Sequence, residues 1–401
     1  MLERELVDSL KNEDFSVLTQ EEKETLSQAK IIHNGKVDES THMRYLMERN
    51  KFKEEVLALF INFSSRCNFN CSYCYQDART MGSDMTKENW ERLLSFISNQ
   101  RNPTNVRKVE VVLFGGEPLM NYNVLHQAVQ NLKAMEGSNF SVNVDLITNG
   151  SLLTKDRATE LAPYLDSVQI TIDGTEKVHN ERRPYKSGEG SFQDVLQNLR
   201  NTLNFTDIEV TLRINVEEET IPDAEELLSR LKKLNLPPKL NKVGLSPTYA
   251  SQNDISGETC AVGFEGQIMK KIAATYEKAV KMGYKVGKEF INGPCLSYYK
   301  NSFAVDENLQ VYKCPGYLYE EPDGFITPSG ELEITSTRWY EMINDEPSCL
   351  ENCKYAPICY GGCRWQAGGP SNINCNKKSL DQNIEQLIRA HAISVYGTVA
   401  T

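Results

Sequence analysis

The chain has 401 residues, of which 40% are hydrophobic and 25% charged, as in average globular proteins, so wholesale disorder is excluded. Its 44 basic and 55 acidic residues give a net charge of −11, which argues against non-specific nucleic-acid binding. No apolar run approaches the roughly 20 residues that span a bilayer, and the N-terminus lacks the features of a signal peptide. We therefore expect a cytoplasmic protein with neither nucleic acid nor membrane as a partner.

Residues 1–55 are polar, and short helices are predicted there at Glu3–Lys11, Thr19–Ala29 and Met43–Arg49. Strands and helices then alternate. The predicted strands are Val56–Ser64, Lys108–Phe114, Ser141–Thr148, Ser167–Ile172, Ile208–Val216 and Lys242–Thr248. The predicted helices are Lys87–Asn99, Tyr122–Met135, Lys155–Leu165, Ser191–Leu203, Ala224–Leu234 and Phe264–Met282. Six βα units favour an α/β fold with a partial (β/α)6 TIM-like barrel, and an open doubly wound sheet is the alternative.

The 11 cysteines fall into two groups, which divide the chain. Three form a tight run directly after the first strand, and the other eight begin at Cys260. The βα alternation stops near Tyr284, where Gly, Pro, Tyr and Cys become frequent, as in a small domain built around metal. We predict an N-terminal extension at 1–55, a core at 56–285 and a cysteine-rich domain at 286–401.

The first group is Cys67-Asn-Phe-Asn-Cys71-Ser-Tyr-Cys74. It follows a strand, so it is expected at the C-terminal face of the barrel, where such folds carry out chemistry. Three thiolates cannot fill a tetrahedral zinc site, and no further Cys or His lies nearby in sequence. A 4Fe–4S cluster held by these thiolates would keep one iron open for a cofactor.

This spacing, with Tyr73 before the third cysteine, resembles the signature of the radical S-adenosylmethionine (SAM) superfamily, in which SAM chelates the open iron. Gly115-Gly116-Glu117-Pro118, after the second strand, is similar to the family's GGE motif, which receives the SAM ammonium. The resemblance implies further SAM contacts from Thr148 and Asn149, from Thr171 in a Thr-Ile-Asp-Gly segment, and from Arg183 and Arg213. For each arginine a surface salt bridge is the alternative.

The second group resembles the SPASM extension of radical SAM peptide- and protein-modifying enzymes, which holds two auxiliary 4Fe–4S clusters. By this resemblance Cys295, Cys314 and Cys363 bind auxiliary cluster I, and Cys349, Cys353, Cys359 and Cys375 bind auxiliary cluster II. The family string is C-x2-C-x5-C-x3-C, whereas three residues separate Cys349 from Cys353 here, and Leu309 replaces a usual glycine. Two structural zinc sites are the alternative, since eight cysteines supply two sets of four thiolates.

The role of Cys260 stays open between two possibilities. Three clusters, one of them with an open iron, need as many thiolates as the chain has cysteines, so Cys260 would complete cluster I. A free cysteine is also commonly buried for packing. If Cys260 is a bystander, cluster I has a vacant iron that would bind a substrate thiolate, which coordination deprotonates.

The resemblance implies a 5′-deoxyadenosyl radical, SAM and three 4Fe–4S clusters as cofactors, and an electron donor such as a flavodoxin or ferredoxin. The favoured function is maturation of a ribosomally made precursor peptide by a thioether crosslink from Cys sulfur to carbon. The alternatives are an anaerobic sulfatase-maturing (formylglycine-generating) enzyme, a carbon–carbon crosslinking maturase, and a non-enzymatic iron–sulfur protein. Sulfatase-maturing enzymes place a catalytic Asp directly after the cysteine that corresponds to Cys314, and this chain has Pro315.

The N-terminal extension offers a weaker signal. Peptide maturases often carry a leader-binding domain with a strand that pairs with the leader. The segment 31–37 is a candidate for part of such an element. However, 55 residues is short for a complete domain, and a helical cap on the barrel is the favoured interpretation.

Overall fold

The structure is a computed structural model that describes residues 16, 18–28, 38–74, 76, 82–100, 105–248, 266–287 and 295–396. The helices are α1 (Gln20–Gln28), α2 (Glu39–Lys51), α3 (Lys87–Asn99), α4 (Tyr122–Ala134), α5 (Lys155–Leu161), α6 (Glu176–Arg182), α7 (Phe192–Phe205), α8 (Ile221–Lys233), α9 (Gly266–Lys281), α10 (Thr337–Asn344), α11 (Ala356–Cys359) and α12 (Lys377–Tyr396). The strands are β1 (Val56–Ser64), β2 (Lys108–Gly115), β3 (Ser141–Thr148), β4 (Ser167–Thr171), β5 (Glu209–Val216), β6 (Lys242–Pro247), β7 (Ser302–Val305), β8 (Gln310–Tyr312), β9 (Gly324–Ile326) and β10 (Leu332–Ile334).

Within these described residues the strands form one sheet in the order β10-β9-β8-β7-β1-β2-β3-β4-β5-β6. Strands β1 to β6 are parallel in sequence order, as six βα units predict. Strand β7 adds a further parallel strand on the free edge of β1, which the sequence did not predict because β7 has only four residues. The two outermost strands, β10 and β6, are not hydrogen-bonded neighbours in the described chain, so the barrel is partial, as predicted.

The two faces of the parallel sheet differ in polarity. On β1, alternate residues (Leu57, Leu59, Ile61 and Phe63) are at most 2% exposed and share one core with the helices. The opposite face of the sheet carries half-buried polar side chains such as Glu110, Asn143, Gln169 and Arg213. A doubly wound sheet would need apolar residues on both faces because helices cover both. The polar inner face therefore supports the partial barrel over the doubly wound alternative.

The C-terminal domain contacts both edges of this partial barrel. At one edge β7 pairs with β1, and at the other α12 packs against α9, the last helix of the barrel. The Val286 amide also donates to Ser394 Oγ at 3.0 Å. A second apolar cluster covers part of the inner face, where Phe60, Phe114 and Ile147 of the barrel pack with residues of the C-terminal domain.

Helix α2 of the N-terminal extension packs on the cysteine-rich domain. Its Met47 shares an apolar cluster with Tyr298 and Leu350. Arg44 pairs with Glu351 at 2.6 Å, and the buried Lys51 lies 3.5 Å from Glu346. The candidate leader-binding segment, residues 31–37, lies outside the described residues. Among the helices that the structure describes, none is long and apolar enough to cross a membrane.

The continuous sheet yields a first prediction. A fragment ending at Gly287 should be insoluble, or should melt roughly 10 °C or more below the intact chain, because it exposes the edge of β1 and the face of α9 that α12 covers. Thermal denaturation of both proteins in the metal-free state measures this. A soluble fragment that melts at the temperature of the intact chain would show that the barrel folds without the C-terminal domain.

Candidate active site

The cysteine loop lies at the C-terminal end of β1 and is fixed by backbone hydrogen bonds to the segment 182–186. The Asn70 amide donates to the Pro184 carbonyl at 2.8 Å, and the Ser72 amide donates to the Arg182 carbonyl at 3.0 Å. In the other direction, the Lys186 amide donates to the Asn68 carbonyl at 2.9 Å. The cysteine loop therefore pairs with the segment 182–186 across the end of the barrel. Its position depends on residues more than 100 positions further along the chain.

The three thiols of this loop lie close enough to act on one another electrostatically. Burial and, to a smaller extent, negative charge at Glu117, Cys71 and Cys74 together raise the pKa of Cys67 to about 12. Such a thiol loses its proton only when a cationic centre binds it. In the described part of the chain no three His, Cys, Asp or Glu side chains are placed to chelate a single ion. The donor set instead suits a 4Fe–4S cluster, in which each thiolate bonds a different iron.

The Gly115–Gly116 turn lies directly against the segment that leads into the cysteine loop. The Gly116 amide donates to Ser64 O at 2.8 Å, and the Glu117 amide donates to Arg66 O at 2.8 Å. A Cβ on Gly116 would lie 2.5 Å from that same Arg66 oxygen, so no other residue fits without a backbone shift. Gly115, at φ +152°, has the same constraint from Ser64 O. The turn therefore brings the end of β2 into direct backbone contact with the segment that leads into the cysteine loop, and contact of its peptide groups with SAM stays a prediction.

The Glu117 carboxylate is fully buried and ties the end of β2 to the end of β3. It accepts hydrogen bonds from Thr148 Oγ1 at 2.8 Å, from the Asn149 amide at 2.7 Å and from the Leu119 amide at 3.0 Å. Burial raises its pKa, and these hydrogen bonds act in the opposite direction. The structure thus brings Glu117, Thr148 and Asn149 together. It shows Glu117 engaged within the protein, and contact with SAM remains a prediction.

Tyr73 is the centre of a buried polar network beneath the cysteine loop. Its hydroxyl donates to Asp173 Oδ2 and accepts from Arg183 Nη1 at 2.5 Å and from Asn215 Nδ2 at 2.9 Å. Burial raises the pKa of Tyr73, so the phenol stays neutral and can donate. Arg182 lies over the ring at 4.9 Å. The network fixes the loop from a second side.

The remaining predicted SAM contacts surround this network. Arg183 is 6% exposed and directed at Tyr73, so it is not in a surface salt bridge. Arg213 donates through Nε to Asn215 Oδ1 at 2.9 Å, and the buried Thr171 lies beside it in the β4–β5 register. The neighbouring His179 accepts from the Asp173 amide through Nδ1, and burial, together with the Arg183 charge, lowers its pKa. A neutral, fully hydrogen-bonded His179 acts as a support for the loop.

Four cysteines of the second group lie together in the C-terminal domain. Burial raises the pKa of Cys349, and the negative charges of Cys353, Cys359 and Cys375 raise it further. Cys375 is exposed, whereas Cys359 is buried. This is the set predicted for auxiliary cluster II. The effect of the other three thiols on Cys349 indicates that they lie near it, and their role as cluster ligands stays a prediction.

The set predicted for auxiliary cluster I lies beside the inner face of the barrel. Cys314 and Cys363 pack against one apolar cluster, and the negative charge of each raises the pKa of Tyr317, which burial raises most. Cys295 precedes a short 3-10 turn that leads into β7. Cys260 lies outside the described residues, so its role remains a prediction.

One departure from the family string, Leu309, and the glycine pair of the Cys359–Cys363 segment have local explanations. Leu309 adopts a left-handed conformation, φ +67°, at the turn between β7 and β8, where a glycine would be unstrained. Its side chain is 1% exposed, so burial of an apolar side chain offsets the backbone cost. In the Cys359–Cys363 segment, Tyr360, Gly361 and Gly362 are successively left-handed, which explains the glycine pair.

Sequence reasoning missed several buried polar residues at this site. Asp173 and Asn215 join the Tyr73 network, and Glu307 accepts from Asn62 Nδ2 at 3.0 Å and from Tyr319 Oη at 3.1 Å. Lys313, adjacent to Cys314, is 1% exposed. For Asp173 the Thr-Ile-Asp-Gly segment offered a signal, because the polar residue follows a strand end. The other partners are distant in sequence and gave none.

Comparisons with known proteins agree with this geometry. Residues 61–231 match the Radical SAM superfamily. A cysteine-type anaerobic sulfatase-maturating enzyme of Clostridium novyi (strain NT) is 22% identical over 371 residues, covering 81% of this chain and 94% of that protein. A native anSMEcpe structure with bound AdoMet and Cp18Cys peptide has a TM-score of 0.61 at 18% identity, covering 85% of this chain and 99% of that one. Streptococcus suis SuiB bound to precursor peptide SuiA has a TM-score of 0.59 at 13% identity, covering 89% and 86%.

The fold and the match over residues 61–231 thus define an enzyme built on a partial barrel, with a three-cysteine loop after β1. The chain carries a radical SAM domain and is a radical SAM enzyme, as its motifs predicted. It is homologous to maturases and shares their fold across most of its length.

Replacing Cys67, Cys71 and Cys74 together with Ala should abolish SAM cleavage and leave the C-terminal clusters in place, because the two groups of thiols lie on separate parts of the fold. Chromatography of 5′-deoxyadenosine and iron analysis measure the two effects. Loss of all iron, or retained 5′-deoxyadenosine, would contradict the assignment.

The glycine turn gives a separate prediction. Gly116→Ala should destabilise the fold by about 1–3 kcal/mol and weaken SAM binding, because its Cβ overlaps the Arg66 carbonyl. Gly137→Ala is the matched control, since no atom lies within 4 Å of its Cβ, and it should change stability by no more than about 0.5 kcal/mol. Thermal unfolding and equilibrium SAM binding test both variants. If both variants had the same stability and the same affinity for SAM, the contact between Gly116 and the Arg66 carbonyl would not be important.

Proposed function

We propose that this enzyme is a radical SAM/SPASM peptide maturase that forms a thioether between a Cys sulfur and a carbon of a ribosomally made precursor peptide. Cys67, Cys71 and Cys74 would hold the SAM-binding cluster. The cysteines of the C-terminal domain would hold two auxiliary clusters. When bound, SAM and the clusters supply a 5′-deoxyadenosyl radical and the electron acceptor that a two-electron oxidation requires.

The residue after Cys314 is the observation that favours a precursor peptide over a sulfatase as the substrate. Pro315 opens a 3-10 turn, Pro315–Tyr317, in the place where a sulfatase-maturing enzyme would present an Asp. The pyrrolidine ring has no group that accepts a proton at this position. The chain therefore lacks the motif base of the formylglycine reaction.

Two aspartates near Pro315 in sequence, Asp306 and Asp323, do not replace that base. Asp306 accepts from the Asn308 and Gln310 amides, both at 2.9 Å, and from Tyr312 Oη at 3.1 Å. Asp323 is fully buried and accepts from the Lys313 amide at 2.8 Å and from Arg338 Nε at 2.9 Å. Both carboxylates accept hydrogen bonds that stabilise the turns around β8. Neither could act on a substrate unless those hydrogen bonds were broken.

The inner face of the barrel offers the place for a peptide. Phe114, directly before the glycine turn, belongs to the same apolar cluster as Cys314 and Cys363. A peptide bound on this face would lie between the SAM site and auxiliary cluster I, shielded from bulk water by the C-terminal domain. The half-buried polar residues of the same face, Glu110 and Asn143 among them, would contact its backbone and side chains.

Thioether formation balances with the cofactors proposed. The acceptor carbon loses one hydrogen atom, the Cys sulfur loses a proton, one electron is removed, and a C–S bond replaces the C–H and S–H bonds. The product is lighter than the substrate by two hydrogens. The cleavage of SAM consumes one electron, for which a flavodoxin or ferredoxin is the proposed donor.

Sulfatase maturation is the second candidate. It is favoured by the relative from Clostridium novyi, whose similarity extends over 81% of this chain, and by the TM-score of 0.61 to anSMEcpe. Likeness at 18% identity reflects a shared fold, and the fold is common to both activities. The Pro315 position separates the two candidates.

The test uses reconstituted enzyme with SAM and a strong reductant, and two kinds of peptide. With a short cysteine-containing peptide identified among the neighbouring reading frames, we expect a product that has lost two hydrogens and whose Cys no longer reacts with iodoacetamide. With a cysteine-type sulfatase peptide, we expect 5′-deoxyadenosine without conversion of the Cys. Mass spectrometry reads both reactions.

The opposite pattern decides for the alternative. Formylglycine in the sulfatase peptide, trapped as a hydrazone, would overturn the thioether proposal and restore the sulfatase one. A product that has lost two hydrogens but retains an alkylatable Cys would indicate a carbon–carbon crosslink instead.

A further inference from the structure

Lys313 is a lysine buried in the C-terminal domain, between two segments that carry predicted cluster ligands. It is 1% exposed and directly precedes Cys314. Its ammonium donates to three backbone carbonyls: Tyr299 O, Lys300 O at 3.3 Å and Ser302 O at 2.8 Å. These carbonyls belong to the segment that begins at Cys295 and leads into β7.

The three acceptors determine the charge of this side chain. An ammonium has three N–H donors and no lone pair, so it satisfies three carbonyls at once. A neutral amine would direct a lone pair at one of those oxygens. The Nζ atom also lies 4.4 Å from the centre of the Trp339 ring, whose face attracts a cation. The site is therefore built for a cation.

The cation has no carboxylate partner in the part of the chain that the structure describes. Lys313 forms no ion pair within 4.0 Å there, in contrast to Lys51, the other deeply buried lysine, which pairs with Glu48 at 2.6 Å. Asp323 receives the backbone amide of Lys313 and is neutralised by Arg338 at 2.9 Å. A buried charge without a counter-ion is costly, which points to a negative group that the fold is built to receive.

The Lys313 side chain lies between two segments that carry predicted cluster ligands. It is joined to the segment after Cys295 by its hydrogen bonds to Tyr299 O and Ser302 O, and its own backbone leads directly into Cys314. The side chain thus links the Cys295 segment to the strand end that carries Cys314. Both cysteines belong to the set predicted for auxiliary cluster I.

We propose that the Lys313 ammonium is the counter-charge of the iron–sulfur cluster held by Cys295, Cys314 and Cys363, and that it makes this cluster easier to reduce. The inference rests on the ligand assignment made under the proposed function. A 4Fe–4S cluster becomes more negative when it gains an electron, so a nearby buried cation stabilises its reduced form and raises its reduction potential. Lys313 is a positioning residue for the electron acceptor and does not contact the peptide.

Lys313→Gln tests the charge, because an amide still donates to the carbonyls. Lys300→Gln is the matched control. Lys300 carries the same charge in the same segment, but its side chain is 49% exposed and pairs with Glu54. Potentials are measured by redox titration of the intact enzyme monitored by electron paramagnetic resonance, without peptide. The SAM-binding cluster is recognised by its response to added SAM.

In Lys313→Gln, one of the two remaining transitions should move to a lower potential by at least a tenfold change in the oxidised-to-reduced ratio. That change corresponds to about 59 mV for a one-electron couple. In Lys300→Gln neither transition should move. Lys313→Arg keeps the charge and should restore the potential if the larger side chain is accommodated.

Unchanged potentials in a Lys313→Gln enzyme with full iron content would overturn the proposal. Loss of a cluster from both Lys313→Gln and Lys313→Arg would also overturn it, since the lysine would then only hold the ligand segment together. The titration uses no peptide, so its result does not depend on the reaction product. A shift in potential would support the role of Lys313 even if the product were formylglycine rather than a thioether.

Discussion

The close approach of the Gly115–Gly116 turn to the backbone of Ser64–Arg66 is the constraint on which the site depends. The parallel register of β1 and β2 brings both strand ends to one edge, and the register shifts where the chain leaves β1 for the cysteine loop. Two glycines allow the backbones to touch there. This contact fixes the segment that leads into Cys67, and the Glu117 amide donates to the Arg66 carbonyl there.

The C-terminal domain completes the fold and supplies the second set of thiols. Its strand β7 continues the parallel sheet beyond β1, and its last helix packs on the opposite side of the barrel. This arrangement sets Cys314 and Cys363 against apolar residues of the inner face. In the proposed function, a substrate on that face would lie between the SAM-binding loop and auxiliary cluster I, and an oxidative crosslink would use both.

Much of the barrel was predictable from sequence, and parts of the site were not. The strands Val56–Ser64 and Ser141–Thr148 and the helix Lys87–Asn99 match the prediction at both ends, because their apolar periodicity is long and regular. Helix α6 (Glu176–Arg182) was missed because it buries polar side chains, His179 and Arg182 among them, instead of an apolar stripe. Strands β7 to β10 have three or four residues each, too few to show a period. The Tyr73–Asp173 hydrogen bond joins residues 100 positions apart, and no local pattern indicates such a contact.

The central claim is that Cys67, Cys71 and Cys74 hold a cluster with one iron open to SAM. The most direct measurement is the electron paramagnetic resonance spectrum of the reduced, reconstituted enzyme before and after addition of SAM. We predict that the signal of one cluster changes its g-values when SAM binds, while the signals of the C-terminal clusters do not. Identical spectra with and without SAM, in a protein that contains its full iron, would contradict the account.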